Sequence, residues 1–331
     1  MADKTYDAIV IGGGHNGLIA ACYLAWTGMK VAVFEREFEI GGGACSEEQP
    51  LPAFMSNPCA NFTRMYTSPV WDDFQLWEKG AWYLTPEVNH AGIFDDGTCL
   101  VFSPVTYTPD LKTGETVFSE ENLKKNTGNI ARFSQRDAEH SLKLFEMYQK
   151  KWRAAVAEYR MTAAAPWGVK DPIERLLEDP DSGLDPAYQF MTVRQVACDL
   201  FESTEMRLLF MRSMLTSNGC FPDDVAPLAE TLAQLGVTLA WSPAPVVQGG
   251  AHNIAHALQK VITEHGGDFF VRHEVDKILV ENGQARGVKL LDGTGIAATQ
   301  VVVSDVNVNT AKMMATIQNR MIILDSFHPN I

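Results

Sequence analysis

Three glycines constrain this chain more than any other feature: Gly12, Gly14 and Gly17, within the run DAIVIGGGHNGLIAACYLAWTGMKVAVFER over 7–36. Ala8 to Ile11, just before them, reads as a buried strand. The small and apolar residues from His15 to Thr27 read as a helix closed by Gly28, and Lys30 to Phe34 as a second buried strand that ends on Glu35. The stretch is therefore a βαβ unit, with G-x-G-x-x-G spacing where strand turns into helix. In that position Gly12 permits the tight turn, Gly14 lets backbone approach a pyrophosphate and Gly17 lets the helix lie close on the strands. The phosphates would rest on the helix N-terminus, where free N–H groups and the helix dipole favour an anion. Glu35 stands about 20 residues past Gly14, where a carboxylate accepts from a ribose 2′-OH and repels a 2′-phosphate. A glycine turn alone is weak evidence, since such turns are often purely structural. Here strand, helix and acid fall in register, which points to a dinucleotide of the FAD or NAD type rather than NADP.

A chain of 331 residues is long enough for about two domains. Its 41 acidic and 27 basic residues leave a net charge of −14, which argues against nucleic acid, whose phosphates need basic patches. The cysteines (Cys22, Cys45, Cys59, Cys99, Cys198 and Cys220) form no C-x-x-C pair. They are expected to be reduced thiols in a cytoplasmic compartment, with no zinc site. Residues 8–34 are apolar, with Lys30 as their one charge, but the glycines, His15 and Asn16 interrupt them, so no transmembrane segment is expected.

A second glycine cluster, Gly41-Gly42-Gly43 followed by Ala44 and Cys45, comes soon after the acid. Such a pair of clusters suits the pyrophosphate and ribityl side of FAD, which a nicotinamide-only domain does not need. The run VFEREFEIGGGACSEE, following YDAIVIGGGHNGLIAACYLA, resembles the phytoene-desaturase and carotenoid-isomerase superfamily of FAD-dependent oxidoreductases. Gly-Gly-Ala with Glu47 and Glu48 after it is similar to the pyridine nucleotide-disulfide oxidoreductase domain-containing protein 2 branch. Carotenoid desaturases tend to show Gly-Gly-Arg, and Ala44 in place of that arginine counts against a carotenoid substrate.

The resemblance implies an α/β fold: a Rossmann-like FAD-binding domain formed by 1–50 and 246–306, interleaved with an α+β substrate domain over 51–245. It implies cofactor contacts at Gly12, Gly14, His15, Asn16, Gly17, Glu35 and Arg36, and at Gly42, Gly43, Ala44 and Cys45. Val275 matches the residue whose backbone reads the adenine edge in relatives, and Ser304-Asp305 matches the family's Ser-Asn/Asp step at the end of VVVSD, which the resemblance places near the FAD. The likeness covers about 5–306 and leaves 307–331 as a truncated or irregular tail, so the fold is expected to be incomplete at its C-terminal end. On that basis the chain is expected to be one portion of a split flavoenzyme, completed by a second polypeptide.

Between these landmarks, residues 51–102 are rich in aromatics, among them Phe54, Phe62, Trp71, Phe74 and Phe94. These read either as ordinary core or as the wall of an apolar substrate cavity. Ala91 to Phe94 and Cys99 to Phe102, around Asp95-Asp96-Gly97, read as a hairpin. The spacing predicts a helix over 134–161, with Ser134 and Asp137 resembling a capping box. Further helices are predicted near 193–201, 205–214, 225–235 and 251–265. Met206, Phe210, Met211 and Met214 could be core, a tunnel or a membrane-docking face, which leaves room for peripheral membrane contact. Strands are predicted at 268–271, 275–280, 285–291 and 296–303. His252 and His256 are four apart on a helix, but without an H-E-x-x-H pattern no metal is expected; His252 facing the flavin is the livelier role.

The function that follows is an FAD-dependent dehydrogenase, oxidase or desaturase taking a hydride from a C–C or C–N bond of an apolar or aromatic small molecule. A flavin-dependent isomerase, a redox-inactive binding or escort subunit and a nicotinamide-only dehydrogenase are the alternatives. No catalytic residue stands out, as expected where the cofactor carries the chemistry.

Overall fold

The computed structural model describes residues 4–49, 51–60, 63–110, 115–242, 244–307 and 322–323. The expected tail over 307–331 and the aromatic Phe62 therefore lie largely or wholly outside the described residues. Contacts divide the chain into two compact units, one formed by residues up to Leu84 together with those from Val246 onward, the other by Thr85–Pro245. Residues 51–84 thus fall in the first unit.

The first unit is built on a sheet whose strands, in chain order, are β1 (Thr5–Ile11), β2 (Val31–Phe34), β3 (Asp268–Phe270), β4 (Val275–Glu281), β5 (Gln284–Leu290), β6 (Gly295–Ser304) and β7 (Ile322–Ile323). Their order across the sheet is β3-β2-β1-β6-β5-β4, with β7 also on β6. β1 pairs in parallel with both β2 and β6, while β4, β5 and β6 pair antiparallel. β1 and β2 are buried on both faces, which is why they read as continuous apolar runs rather than alternating ones. A register shift between Tyr6 and Ala8 turns Tyr6 onto the same face as Ile9 and Ile11. There the three pack with Ala32, Phe34, Val275, Ile278 and Val302.

The two long helices of this unit among the described residues are α1 (His15–Trp26) and α2 (His252–Glu264), with a short one over Pro69–Asp73. α1 buries Gly17, Leu18, Ala21, Cys22 and Ala25, all small apart from Leu18, so it lies close to its neighbours. The Cys22 thiol donates to the Leu258 carbonyl of α2 at 3.4 Å. Burial pushes that thiol up to about 12, and all six cysteines are free.

The second unit is mainly helical. The hairpin forms between His90–Ile93 and Cys99–Phe102, within a residue of its expected bounds. Helices cover Val193–Leu200, Thr204–Asn218 and Leu228–Thr238. The Met and Phe stripe is core: Met206, Phe210 and Met214 are fully buried and Met211 packs against the same cluster. The aromatics of 51–102 divide, with Trp71 and Phe74 buried in the first unit, Phe94 packed on the core of the second and Phe54 exposed.

Two expectations here need correction. The helix expected to run unbroken over 134–161 is two helices, Gln135–Met147 and Arg153–Met161, joined by a π-helical turn over Tyr148–Trp152. The wider turn brings Trp152 inward, where its indole N–H donates to the Ser182 carbonyl at 2.8 Å. The capping box is only half made. Ser134 Oγ accepts from the Asp137 N–H at 3.0 Å, but the Asp137 carboxylate turns away from Ser134. It accepts instead from Glu202 N, Ser203 N and Ser203 Oγ, at 2.8, 2.9 and 2.6 Å. Asp137 thereby satisfies the backbone N–H of Ser203, the N-cap residue of helix Thr204–Asn218, and of Glu202 just before it. Among the described residues no helix is long and apolar enough to cross a membrane.

A buried carboxylate serving three donors cannot be deleted cheaply. Asp137→Ala is expected to cost roughly 3 kcal/mol in urea unfolding, with loss of helical signal beginning at lower denaturant; an unchanged midpoint would show that these bonds contribute nothing net.

Candidate functional site

β1 ends between β2 on one side and β6 on the other, so the carboxyl ends of three parallel strands meet at the point where the chain reverses direction across the sheet. In open α/β sheets that crevice is where ligands sit. Here it is a cleft of about 330 Å³, lined by Gly12 and Gly14 of the turn, Phe34, Glu35, Arg36 and Glu37 at the end of β2, Gly42, Glu274 and Val275, and Asp305 to Asn307 after β6.

The turn is held from three directions. Gly12 N donates to the Phe34 carbonyl at 2.9 Å and Asp305 N to the Ile11 carbonyl at 2.8 Å, tying the turn to both flanking strands. Gly41 N donates to the Gly13 carbonyl at 2.7 Å, bringing the second glycine cluster onto the first. The reason for glycine is steric at each contact. A Cβ on Gly17 would lie 2.5 Å from the Gly12 carbonyl oxygen, and one on Gly42 would lie 3.1 Å from Gly14 Cα. Gly12, at φ +97°, also has a backbone that other residues rarely adopt.

Glu35 is fixed by two backbone donors. Its Oε2 accepts from Gly13 N at 2.7 Å and its Oε1 from Glu37 N at 2.8 Å. The acid that reads as the ribose partner thus also clamps the glycine turn to the end of β2. Arg36 is exposed and paired with Glu37 at 3.2 Å. Asp305 reaches the other side of the turn, where its Oδ2 accepts from Gly17 N at 2.8 Å. The same oxygen lies 2.8 Å from where a Cβ on Gly14 would stand. Its Oδ1 is buried and has no hydrogen-bond partner among the described residues. Burial above all, with the Glu35 charge adding to it against the pull of the Gly17 N–H, pushes the Asp305 carboxyl up to about 6.

Of the residues expected to hold a cofactor, Gly12, Gly14, Glu35, Arg36, Gly42 and Val275 line one cleft. His15, Asn16 and Gly17 form the first turn of α1 beside it. Gly43, Ala44 and Cys45 continue the second glycine turn, with Ala44 buried and burial raising the Cys45 thiol. Ser304 is fully buried in β6, its hydroxyl without a partner; the residue that enters the cleft is its neighbour Asp305. Reading the sequence missed Glu274 and Glu37, which also line the cleft.

The fit to an adenine dinucleotide rests on this geometry. Glycines let backbone and the Asp305 carboxylate come close to the mouth of α1, whose Gly17 N–H points at that carboxylate, and a second carboxylate stands at the end of β2. Close by, Ser46 Oγ and Asn57 Oδ1 accept from His252 N and Ala251 N at 3.2 and 3.0 Å, capping α2. His252 and His256 rings lie 5.0 Å apart, and His256 Nε2 meets Glu39 Oε1 at 2.8 Å. Burial, with His256 beside it, holds His252 below the ordinary imidazole range. Among the described residues no group of three or more His, Cys, Asp or Glu side chains is placed to hold a metal ion.

The profile of the flavin containing amine oxidoreductase family matches residues 17–318. A limonene dehydrogenase subunit of Castellaniella defragrans is 29% identical over 294 residues, covering 87% of this chain and 48% of that protein. Pyridine nucleotide-disulfide oxidoreductase domain-containing protein 2 of Rattus norvegicus is 26% identical over 328 residues, covering 90% of this chain and 52% of its own length. The chain thus spans about half the length of these relatives. Among solved structures, an oxidoreductase from Methanosarcina mazei superposes with a TM-score of 0.54 at 18% identity, over 93% of this chain and 61% of that one, which establishes a shared fold.

The steric argument yields a contrast between two glycines. Gly17→Ala is expected to destabilise by about 1–3 kcal/mol or more through overpacking against the turn. Gly128→Ala, on an exposed helical position with open space around it, is expected to stabilise by about 0.5–1 kcal/mol. Thermal melts of the two variants check this, and equal effects of one sign would contradict it.

Proposed function

The chain belongs to the flavin containing amine oxidoreductase family, and from that premise we propose that it is the dinucleotide-binding portion of an FAD-dependent oxidoreductase that takes a hydride from a C–C or C–N bond of an apolar or aromatic small molecule. The observation that carries the reading is the meeting of the two glycine clusters at the mouth of α1, with Glu35 clamping the turn beside them. A single cluster suffices for a nicotinamide domain, whereas a second one packed on the first suits the longer diphosphate and ribityl run of a flavin dinucleotide.

When bound, FAD supplies the hydride acceptor and passes the electrons on to a further carrier. The work of this chain is then to hold and orient. The N–H groups of the first turn of α1 would hold the diphosphate, with Gly12, Gly14, Gly42 and Gly43 allowing backbone to approach it. Glu35 would accept from the ribose hydroxyls while keeping Gly13 in place, and would disfavour a 2′-phosphate. The backbone around Val275 would hold the adenine end, with Phe34 as an apolar wall.

A relative named as a subunit of a dehydrogenase supports a further arrangement, in which this chain works together with a second polypeptide. The name of that same relative also favours a small hydrocarbon-like substrate over a carotenoid, in keeping with Ala44 in place of arginine.

The test is reconstitution with FAD, with Glu35→Ala alongside. Wild type is expected to turn yellow and quench flavin fluorescence, with an affinity some 10–100-fold above that of the variant, the loss of charge-assisted hydrogen bonds to a carboxylate. Anaerobic addition of an oxidisable apolar substrate to the complete assembly should bleach the flavin band. A wild-type protein that stays colourless at saturating FAD would contradict the reading.

A further inference from the structure

We propose that Asp305 couples dinucleotide binding to the uptake of a proton: the diphosphate is held only when this carboxyl is neutral or has left the mouth of α1. The proposal rests on the cofactor reading above and goes beyond it, because it concerns the proton that accompanies binding rather than recognition of the cofactor.

The geometry is specific. α1 begins on Gly14, which has no side chain with which to cap it, so the free N–H groups of the first turn need an acceptor from elsewhere. The Asp305 carboxylate takes one of them, Gly17 N, at 2.8 Å. It does so in the space that glycine at position 14 leaves open, since its Oδ2 would lie 2.8 Å from a Cβ there. That space is the one a diphosphate uses in a G-x-G-x-x-G turn. The chain therefore places an anion of its own at an anion seat. An ionised carboxylate and a diphosphate side by side in a partly buried cleft repel strongly, and protonation removes that repulsion.

Among the described residues, the charge that bears on Asp305 is the Glu35 carboxylate, of the same sign. Glu35, Arg36 and Glu37 stand at the end of β2, with Arg36 already paired to Glu37, and Glu274 stands before β4. His15 opens α1. Burial and the Glu35 charge already raise the Asp305 carboxyl to about 6, so protonation is accessible close to neutral pH, and a neighbouring diphosphate raises it further. Without cofactor the sign is the reverse of a salt-bridged acid. The folded-state value lies above the unfolded one, so stability is greatest below about pH 4 as far as this group goes, falls as pH rises through about 6 and is level above that.

The experiment is equilibrium titration with FAD between pH 5.5 and 8 for wild type, Asp305→Asn and Asp305→Ala, with calorimetry in buffers of different ionisation enthalpy. Wild type is expected to bind about tenfold more weakly at pH 8 than at pH 5.5, and to take up a proton on binding near neutral pH. Asp305→Asn, which keeps an acceptor for Gly17 N, should bind tightly with no pH dependence and no proton uptake. Asp305→Ala should behave likewise even where its cofactor-free stability is lower. Variants that bind no tighter than wild type at pH 8, with the same pH profile, would make Asp305 a plain helix cap and overturn the proposal.

Inorganic pyrophosphate, compared between wild type and Asp305→Asn at each pH, separates the two claims. Tighter pyrophosphate binding by the variant at pH 8 supports the role of Asp305 even where FAD itself fails to bind, a failure that would count against the cofactor reading instead. Equal pyrophosphate binding by both proteins overturns the role of Asp305.

Discussion

The close approach of α1 to the end of β1 is the constraint on which the rest of the first unit depends. It exists because position 17 carries no side chain, and a Cβ there would run into the Gly12 carbonyl. With the helix pressed onto the turn, its first N–H groups are held where three parallel strands end, and the cleft takes its shape from that. The second glycine cluster then packs on the first through Gly41 and Gly42, and Gly41 also abuts Ala255 of α2. One steric allowance is thus transmitted from turn to helix to second turn.

Electrostatics follow the same centre. The positive end of α1 is served by acids from both flanking strands: Glu35 binds the turn at Gly13, and Asp305 binds the helix at Gly17. They differ in circumstance. Glu35 spends its oxygens on two backbone donors, whereas Asp305 has one oxygen bonded and the other buried with no partner among the described residues. An acid so placed is held at a cost, and the cost is lowest when it carries a proton. The cleft is therefore a fixed scaffold on the β2 side and a titratable one on the β6 side.

Much of this was legible in the residues alone, and the reasons are local. The βαβ unit announces itself because parallel strands buried on both faces appear as unbroken apolar runs, and because the glycines and the acid fall in register with them. The observed β1 and β2 differ from expectation only at their ends. The π-helical turn at Tyr148 was hidden because apolar residues on both sides of it keep three- and four-residue spacing, so periodicity sees one helix where packing makes two. Asp137 looked like half of a capping box, but three donors from residues 202 and 203 outcompeted the local bond. Asp305 was reached through the resemblance of its Ser-Asp step, while Glu274 could not be placed in the cleft from spacing, because its position follows from the antiparallel pairing of β4 with β5. Ser304 and Asp305 differ by one residue, and in a strand one residue decides between core and cleft.

The claim at the centre is that the mouth of α1 and the ends of β1, β2 and β6 grip an adenine dinucleotide. Hydrogen–deuterium exchange of the backbone amides, with and without saturating FAD, tests it most directly because it reports on the amides themselves. Slowed exchange over 12–17, 35–43 and 274–275, with the interior of helix Thr204–Asn218 unchanged, is the predicted result. Unchanged exchange over 12–17 with FAD demonstrably bound, or protection confined to the helical unit, would contradict it.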